Sequence, residues 1–365
     1  MRQKLWAGEN ELLMELRAIP GLSGKEDSTR QCLKNFLTAN TSFEIFNTEQ
    51  GLFAVYNEGA AETICLRADL DAILNSQGVP YHGCGHDGHS ASLAGAAARL
   101  DQRARNGEWP GVNVVFLWQP AEENGKGALQ ALPALKRWNF KAVYGCHNIP
   151  GYPLGTVLLR KGVFAIASSG VTITLEGRQS HAAYPEDGIN PGYLIGNILE
   201  ALSALSSSEA FSGRVLVSVV EIRAGSHNFG ISAGDGRLSL TFRAEQYEDL
   251  KRFRKILEDF VLKNAKSRGV KARFAYTDEF PDTASDPVVL EALRETLRKA
   301  SIPCMELKEA MRWSEDFGWY MKEWPGAYFG IGSGERTPGL HTDDYAYPEE
   351  LLIAQTRVWE TVIYG

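Results

Sequence analysis

The first part of the chain alternates short apolar runs with segments that have helical spacing. Apolar runs at 63–68, 112–118 and 141–146 predict strands, whereas 90–105 and 127–138 predict helices. Strands that alternate with helices are typical of βαβ crossovers, in which helices cover both faces of a mostly parallel sheet. We therefore expect an α/β domain in this part of the chain.

The middle of the chain has a different pattern. Residues 171–177 alternate apolar and polar side chains with period two, which indicates a strand with one buried face. Residues 247–266 form a long amphipathic pattern that predicts a helix, and Gly269 is suited to end it. Six elements follow one another in the order β-α-β-β-α-β, at 171–177, 189–205, 214–222, 237–243, 247–266 and 270–276. This order is typical of a ferredoxin-like α+β domain.

The first pattern returns after this segment. Asp286 and Pro287 suit the start of a helix, 327–331 predicts a strand, and a last helix is expected from Pro348 onward. The fold class is therefore α/β, with a mixed, mostly parallel sheet whose domain is interrupted by an inserted ferredoxin-like α+β domain. The two predicted domains consist of residues 1–167 with 277–365, and of residues 168–276.

Composition excludes several classes of protein. The 365 residues carry 38 basic and 45 acidic side chains, and the pI is about 5.6. Runs of Lys and Arg are lacking, so we expect neither nucleic acid nor an anionic membrane as a partner. No apolar run approaches the roughly 18 residues of a membrane helix, and the charged N-terminal segment does not resemble a signal peptide. A cytoplasmic location is therefore expected.

The cysteines do not suggest a disulfide framework. They number five, an odd count, and lack any CxxC spacing, which makes a zinc ribbon equally improbable. Most are expected to be reduced thiols in the core. Cys84 is the exception, because it lies among histidines in the segment HGCGHDGH at 82–89.

Candidate chemical groups collect where the predicted strands of the α/β domain end. Cys84 and His86 lie in the loop after the first strand, and Glu122 and Glu123 follow the second. His147 closes the third strand, and His341 follows the strand at 327–331. In open parallel sheets ligands bind beyond the carboxyl ends of the strands. A thiolate, imidazoles and a carboxylate suit a divalent transition metal such as Zn²⁺.

The neighbouring glutamates suggest a division of roles, in which one binds metal and the other takes a proton from an activated water. Such a site can hydrolyse an amide. A second interpretation makes Cys84 a nucleophile with His86 or His89 as its base. A third is a protein that binds without catalysis.

Seven motifs carry a family resemblance. In chain order they are RADLDA (67–72), GCGHDGHSA (83–91), QPAEEN (119–124), GCHNIPGYPLG (145–155), SHAAYPEDGINP (180–191), SEDFGWY (314–320) and LHTDDYAY (340–347). Over nearly its whole length the chain resembles the amidohydrolase branch of the M20 peptidase superfamily. That branch holds N-acyl-amino-acid deacylases, hippurate hydrolases and auxin-conjugate hydrolases.

The resemblance implies a catalytic domain with two divalent metal ions per subunit, Zn²⁺ or Mn²⁺, and an inserted lid or dimerisation domain. Glu122 resembles the family's general base, and Asp71 the aspartate that supports the site. The implied metal ligands are Cys84, His86, Glu123, His147 and His341.

In the inserted domain, His181 matches a histidine that reaches the substrate carbonyl or carboxylate, and Asn228 and Arg243 resemble binders of the substrate carboxylate. The implied substrate is an N-acyl amino acid or similar small amide, and the implied assembly is a homodimer. Dipeptidase or aminopeptidase activity on the same site is the alternative. Only 12 residues separate Asp71 from Cys84, fewer than relatives usually have, so a substrate-facing loop is shortened.

Overall fold

The computed structural model describes residues 2–207, 209 and 211–365, with side chains from residue 8 onward. These residues form two compact units. Unit 1 comprises Met1–Phe164, Thr283–Ala310 and Asp316–Gly365, and unit 2 comprises Ala165–Asp282 and Met311–Glu315.

The second unit is larger than the predicted insertion at 168–276. Its first strand starts at Ala167 and its last runs on to Phe280, both beyond the predicted ends. Residues 311–315 also belong to it, because the Ile166 amide donates to the Met311 carbonyl at 3.2 Å. The apolar pattern does not predict these edges, because polar residues extend both strands: the buried Ser168 and Ser169 in β9, and the exposed Thr277 and Asp278 in β14.

The main sheet of unit 1 has eight strands with a parallel centre. Its strands are β1 (Glu44–Thr48), β2 (Gly51–Tyr56), β3 (Thr63–Asp69), β6 (Asn113–Gln119), β7 (Phe140–Ile149), β8 (Val157–Leu159), β15 (Cys304–Glu306) and β16 (Gly326–Gly332). They are ordered β1-β2-β6-β3-β7-β16-β8-β15. The four strands β6, β3, β7 and β16 are mutually parallel, and antiparallel pairs flank them. The predicted mixed, mostly parallel sheet is confirmed.

A small hairpin lies outside this sheet. Its strands, β4 (Ile73–Leu74) and β5 (Pro80–Tyr81), pair antiparallel between the end of β3 and the loop that carries Cys84.

Helices cover the sheet of unit 1. They are α1 (Arg2–Arg17), α2 (Asp27–Asn40), α3 (His86–Arg105), α4 (Gly127–Leu135), α7 (Pro287–Lys299), α8 (Gly318–Met321) and α9 (Glu349–Tyr364). Strand β3 is buried along nearly its whole length, although its sequence TICLRAD includes the charged Arg67 and Asp69. Helix α7 begins as expected, with the Asp286 side chain accepting from the Val288 and Val289 amides. In the part of the chain that the structure describes, every helix is too short or too polar to traverse a lipid bilayer.

Unit 2 has the predicted ferredoxin-like order. Strands β9 (Ala167–Glu176), β11 (Val215–Ala224), β13 (Asp235–Ala244) and β14 (Lys271–Phe280) form an antiparallel sheet ordered β11-β13-β9-β14. Helices α5 (Gly192–Leu205) and α6 (Tyr247–Ser267) pack their apolar side chains against it. Gly269, at φ +69°, follows the end of α6 in the left-handed conformation that suits a helix stop.

Two features of unit 2 bear on later sections. A ribbon of β10 (Ser180–His181) and β12 (Ile231–Ser232) leaves the end of the sheet where β13 begins, next to a short 3₁₀ turn at Pro185–Asp187. Strand β11 is an edge strand that exposes apolar side chains, with Val220 at 65% and Ile222 at 56% exposure.

Candidate metal centre

The carboxyl ends of the four parallel strands of unit 1 carry the predicted ligands. Glu123 follows β6, and His341 follows β16 by way of a glycine-rich loop. His147 lies within β7, which runs to Ile149, so the expectation that it closes the strand is corrected. His86 is the first residue of α3, which starts four residues earlier than the predicted 90–105. Parallel strands therefore deliver these groups to one edge of the sheet.

Cys84 and His147 lie in contact at the buried side of the site. The Cys84 Sγ is 3.3 Å from the His147 Nε2. The His147 Nδ1 lies 2.8 Å from the Asn148 carbonyl, to which it donates, so Nε2 keeps its lone pair toward the thiol. Burial, followed by the neighbouring His89, lowers the pKa of His147 well below its usual value. His147 is thus neutral, as a metal ligand must be.

His86 is also oriented by its Nδ1, which lies 2.8 Å from the Asp71 carbonyl and 3.2 Å from the Asp71 Oδ1. Its Nε2 points into the site, 3.8 Å from the Glu123 Oε1. Both of these atoms are buried, and neither has a hydrogen-bond partner among the described residues. The Asp69 Oδ2 lies 3.7 Å from this nitrogen, beyond hydrogen-bond distance. A buried nitrogen and a buried oxygen that face each other without a hydrogen bond fit a cation between them.

His341 completes this side of the site. Its Nε2 lies 3.4 Å from the Glu123 Oε1, and its backbone amide donates to the Gly83 carbonyl at 2.8 Å. Its backbone is left-handed, with φ 64°, and its side chain is 52% exposed.

The five predicted ligands form two triads that share one thiol. Cys84, His86 and His147 make the first, and Cys84, Glu123 and His341 the second, with the ligand atoms of each triad within 4.8 Å of one another. Each triad combines a sulfur with borderline-soft or hard donors, a set that suits a divalent transition metal. The structure thus brings together all five residues that the sequence predicts as ligands.

Asp71 lies behind the predicted ligands and contacts two of them. Its Oδ2 accepts from the Ser23 hydroxyl at 2.5 Å and from the Glu123 amide at 3.0 Å, and its Oδ1 faces His86. Burial opposes ionisation, but the hydrogen bond with His86 and those from Ser23 and Glu123 hold the pKa of Asp71 below its usual value. The carboxylate is therefore ionised and orients two predicted ligands.

Glu122 is buried beside this arrangement, with 6% exposure. Its Oε1 accepts from the Asp316 amide at 3.4 Å, and it forms a further group with His86 and Glu123 within 4.8 Å. Ala121, directly before it, has a left-handed backbone with φ 56°. Glu26 supports that turn, since its Oε1 accepts from the Ala121 amide at 2.9 Å.

Negative charge dominates the site. Burial alone would lower the pKa of His86, but the carboxylates of Asp69 and Asp71 raise it to about 10. Burial and the carboxylates of Glu123 and Glu122 raise the pKa of the Cys84 thiol well above its usual value. A divalent cation would balance these carboxylates and favour the thiolate.

A buried network beneath the ligands was not predicted from the sequence. Arg67 donates to Asp69 at 2.7 Å and to Asp316 at 2.9 Å. Asp69 also lies 2.6 Å from the His89 Nδ1, and the His89 Nε2 lies 2.5 Å from the Asn148 Oδ1. The motif RADLDA indicated part of this network, because two opposite charges on one buried strand, Arg67 and Asp69, need partners inside the protein.

The three predicted substrate residues lie in unit 2. His181 is exposed in the β10–β12 ribbon, where its Nδ1 accepts from the Ala183 amide at 3.0 Å, and the exposed Asn228 lies in the loop leading to β12. Arg243 is half-buried at the other end of β13, where it donates to the Arg312 carbonyl at 3.1 Å and to the Ser314 hydroxyl at 2.9 Å. Within this unit the structure places His181 near Asn228 but not near Arg243.

The cysteines are all unpaired. Cys65, Cys84 and Cys146 are buried, Cys32 is half-buried and Cys304 is exposed. Of the four cysteines other than Cys84, two therefore lie in the core, Cys65 and Cys146.

Comparisons with known proteins agree with this fold. Residues 65–365 match Peptidase family M20/M25/M40. N-acetyldiaminopimelate deacetylase of Exiguobacterium sibiricum is 28% identical over 361 residues, which cover 94% of this chain and 95% of the relative. N-acetylcysteine deacetylase of Bacillus subtilis is 27% identical over 353 residues, which cover 93% and 91%.

A solved structure shares the fold. The Bacillus subtilis protein YXEP, described as a dinuclear metal-binding peptidase of the M20 family, superposes with a TM-score of 0.82 at 24% identity, covering 100% of this chain and 98% of that one.

The family match and the relatives named deacetylases place the chain among the hydrolases of the metal-dependent amidohydrolase class. The chain belongs to peptidase family M20/M25/M40. The family assignment made from the seven motifs is thereby confirmed.

Proposed function

We propose that the protein hydrolyses the amide bond of an N-acyl amino acid or a similar small amide. The observation that carries the proposal is the pair of ligand triads that share Cys84. Curated relatives that align along nearly the whole chain are named deacetylases of N-acetylated amino acids, which supports the substrate class.

Two divalent ions, Zn²⁺ or Mn²⁺, are proposed as cofactors. Cys84, His86 and His147 would hold one, and Cys84, Glu123 and His341 the other. When bound, such ions act as Lewis acids that lower the pKa of water and polarise a carbonyl oxygen. The unpartnered His86 Nε2 and Glu123 Oε1 support this assignment.

Glu122 is proposed as the proton carrier. It is buried next to Glu123 and the ligand triads, and it is not needed to complete either triad. Its carboxylate takes a proton from the attacking water as the new C–O bond forms. It then returns that proton to the amine nitrogen as the C–N bond breaks, which yields a carboxylic acid and a free amino acid. Asp71 keeps His86 and Glu123 oriented during this exchange.

His181, Asn228 and Arg243 are proposed to bind substrate. His181 would donate to the oxyanion that develops on the acyl carbonyl, and the planar guanidinium of Arg243 suits a carboxylate. The ribbon that carries His181 lies at the Asp235 end of β13, and Arg243 lies near the other end. Asp235 and Arg243 are eight residues apart along the strand, which is about 26 Å at 3.3 Å per residue. A small N-acyl amino acid is much shorter, so one copy of unit 2 supplies either His181 or Arg243 to a given site.

We therefore propose a homodimer in which the other residue comes from the partner. The exposed apolar edge strand β11 offers a joining surface. Mixing His181→Ala with Arg243→Ala protein tests this arrangement, since each mixed dimer regains one complete site. Recovered activity is expected, and no recovery after verified subunit exchange would contradict it. His227→Ala, which alters another exposed histidine of unit 2, is the matched control.

Two rival activities use the same residues. A Cys84 nucleophile is disfavoured, because burial and neighbouring carboxylates raise the pKa of its thiol, whereas nucleophilic cysteines have lowered pKa values. Dipeptidase or aminopeptidase activity remains the alternative within the same metal chemistry. A cytoplasmic location is proposed because all five cysteines are unpaired, as a reducing compartment would keep them.

A hydrolysis screen tests the proposed function. Metal-reconstituted protein is assayed with N-acetyl, N-benzoyl and N-indoleacetyl amino acids and with dipeptides, before and after EDTA. Hydrolysis of an N-acyl amino acid that EDTA abolishes and added metal restores is expected. Activity that survives EDTA and is lost on alkylation would instead support the Cys84 nucleophile, and cleavage of dipeptides alone would support the peptidase alternative.

A further inference from the structure

His341 is the least confined of the five proposed ligands. Its side chain is 52% exposed, whereas that of His86 is fully buried. Its backbone also has φ 64°, a left-handed conformation that residues other than glycine rarely adopt. Packing therefore does little to fix its ring, and something else must hold its backbone.

The β4–β5 hairpin supplies that support. Besides the bond from the His341 amide to the Gly83 carbonyl, the Tyr81 hydroxyl donates to the Thr342 carbonyl at 3.1 Å. The Ser76 amide donates to the Asp343 Oδ1 at 2.9 Å, and the Ser76 hydroxyl donates to the Asp343 Oδ2. Three consecutive residues, His341 to Asp343, are thus each tied to the segment between Asp71 and Cys84.

The hairpin is itself a tight structure. The Asn75 side chain accepts from the Gln77 amide at 3.0 Å and from the Val79 amide at 2.8 Å, and Gly78 takes the left-handed turn position with φ +76°. The Tyr81 ring lies so close over Gly83 that a Cβ on Gly83 would overlap it. The 12 residues between Asp71 and Cys84 therefore have little conformational freedom, and the two residues that they connect both belong to the proposed metal centre.

We propose that residues 73–83, which we call the clamp, position His341 for metal binding, with Ser76 and Tyr81 as the positioning residues. The inference rests on the proposed metal centre. Gly83 joins the clamp to Cys84, which both triads share, whereas outside the clamp the hydrogen bonds of Ser76, Tyr81 and Gly83 reach only His341–Asp343. The described hydrogen bonds of the clamp involve neither His86 nor His147. Loosening it weakens the metal position formed by Cys84, Glu123 and His341 and spares the other.

The test is a metal-affinity measurement on Ser76→Ala/Tyr81→Phe protein. Metal-free protein is titrated with Zn²⁺ against a competing chelator, which resolves the two equivalents. One Zn²⁺ equivalent is expected to bind about tenfold to 100-fold more weakly, which is the usual effect of removing a residue that orients a metal ligand. The affinity for the other equivalent is expected to stay unchanged. The melting temperature of the metal-free protein is expected to stay the same.

Ser42→Ala is the matched control, because the Ser42 amide and hydroxyl both donate to Asp101 in the same pattern, away from the site. Asp343→Ala, which removes an exposed acceptor, repeats the test should the double variant misfold. Unchanged affinities, or an equal loss at both equivalents, would overturn the clamp alone. A wild-type protein that binds no Zn²⁺ would overturn the metal centre and the clamp with it.

Discussion

Replacing Asp71 with asparagine tests whether the support behind the ligands sets metal affinity. The carboxylate faces three groups that can donate, the Ser23 hydroxyl, the Glu123 amide and the His86 Nδ1. Asparagine keeps one oxygen and replaces the other with an NH₂ group. Placing its oxygen at Oδ2 preserves the bonds from Ser23 and Glu123, and the NH₂ group then faces the His86 N–H.

The expected loss can be worked from that geometry. A hydrogen bond to a charged group contributes about 1.5–3 kcal/mol. The His86 Nδ1 keeps its bond to the Asp71 carbonyl at 2.8 Å, so its tautomer and approximate direction survive. The loss of metal-binding free energy should therefore lie at the low end of this range, about 1.5 kcal/mol, which corresponds to about tenfold weaker metal affinity.

Chelator competition on metal-free Asp71→Asn protein measures this loss, with turnover recorded at saturating metal. Asp249→Asn is the matched control, because Asp249 is a buried carboxylate that accepts from the Ser212 hydroxyl at 2.7 Å and the Gly213 amide at 2.9 Å in unit 2. Metal affinity of the Asp71 variant within about twofold of wild type would refute the reasoning. An equal loss in the Asp249 variant would refute it too, because the effect would then not be specific to the site.

Three further predictions follow from the same site. Glu122→Gln should retain two metal equivalents and lose about 10²–10⁴ in turnover, because it removes proton transfer; a loss below about tenfold would contradict that role. Burial opposes ionisation of Asp69 and Asp71, but His86 and other neighbouring donors lower the pKa values of both carboxyl groups in the folded protein. The two carboxylates therefore stabilise the folded state fully above about pH 4, and this stabilisation is lost as the pH falls through their lower folded pKa values. Urea unfolding of metal-free protein should therefore show decreasing stability below about pH 4, and Asp69→Asn should weaken that dependence. In metal-free protein near neutral pH, iodoacetamide should modify the exposed Cys304 before the buried Cys84, which peptide mass mapping would check; the reverse order would indicate an activated Cys84.

The sequence predicted the order of the main elements because their patterns depend on burial. Strand β3 is buried on both faces and is mostly apolar apart from the Arg67–Asp69 pair, and α6 has one apolar stripe since it packs on one sheet. Element ends were less predictable. The helix α3 starts at His86, whose side chain is polar and yet fully buried, so the apolar pattern placed its start too late.

The clustering of the five proposed ligands could be predicted because the ends of parallel strands meet at one edge of the sheet, and the family resemblance implied which of the clustered residues bind metal. The motif RADLDA holds the Arg67–Asp69 pair, but the bond from Arg67 to Asp316 could not be predicted, because these two residues lie 249 positions apart in the chain. The support of His341 was also beyond reach, since it depends on a left-handed backbone and on Ser76, a residue type that is ordinary in any turn.

The two ends of the inserted segment meet at a single point in unit 1. The Phe164 amide donates to the Thr283 carbonyl at 2.7 Å, and Val163 and Ala284 form an antiparallel bridge. The inserted segment 165–282 thus begins and ends where the two sides of an ordinary hairpin turn would lie, and residues 311–315 join unit 2 from a later part of the chain. The inserted segment 165–282 can therefore be exchanged or enlarged at this one junction without rethreading the sheet that carries the metal centre, provided that its replacement still accommodates residues 311–315.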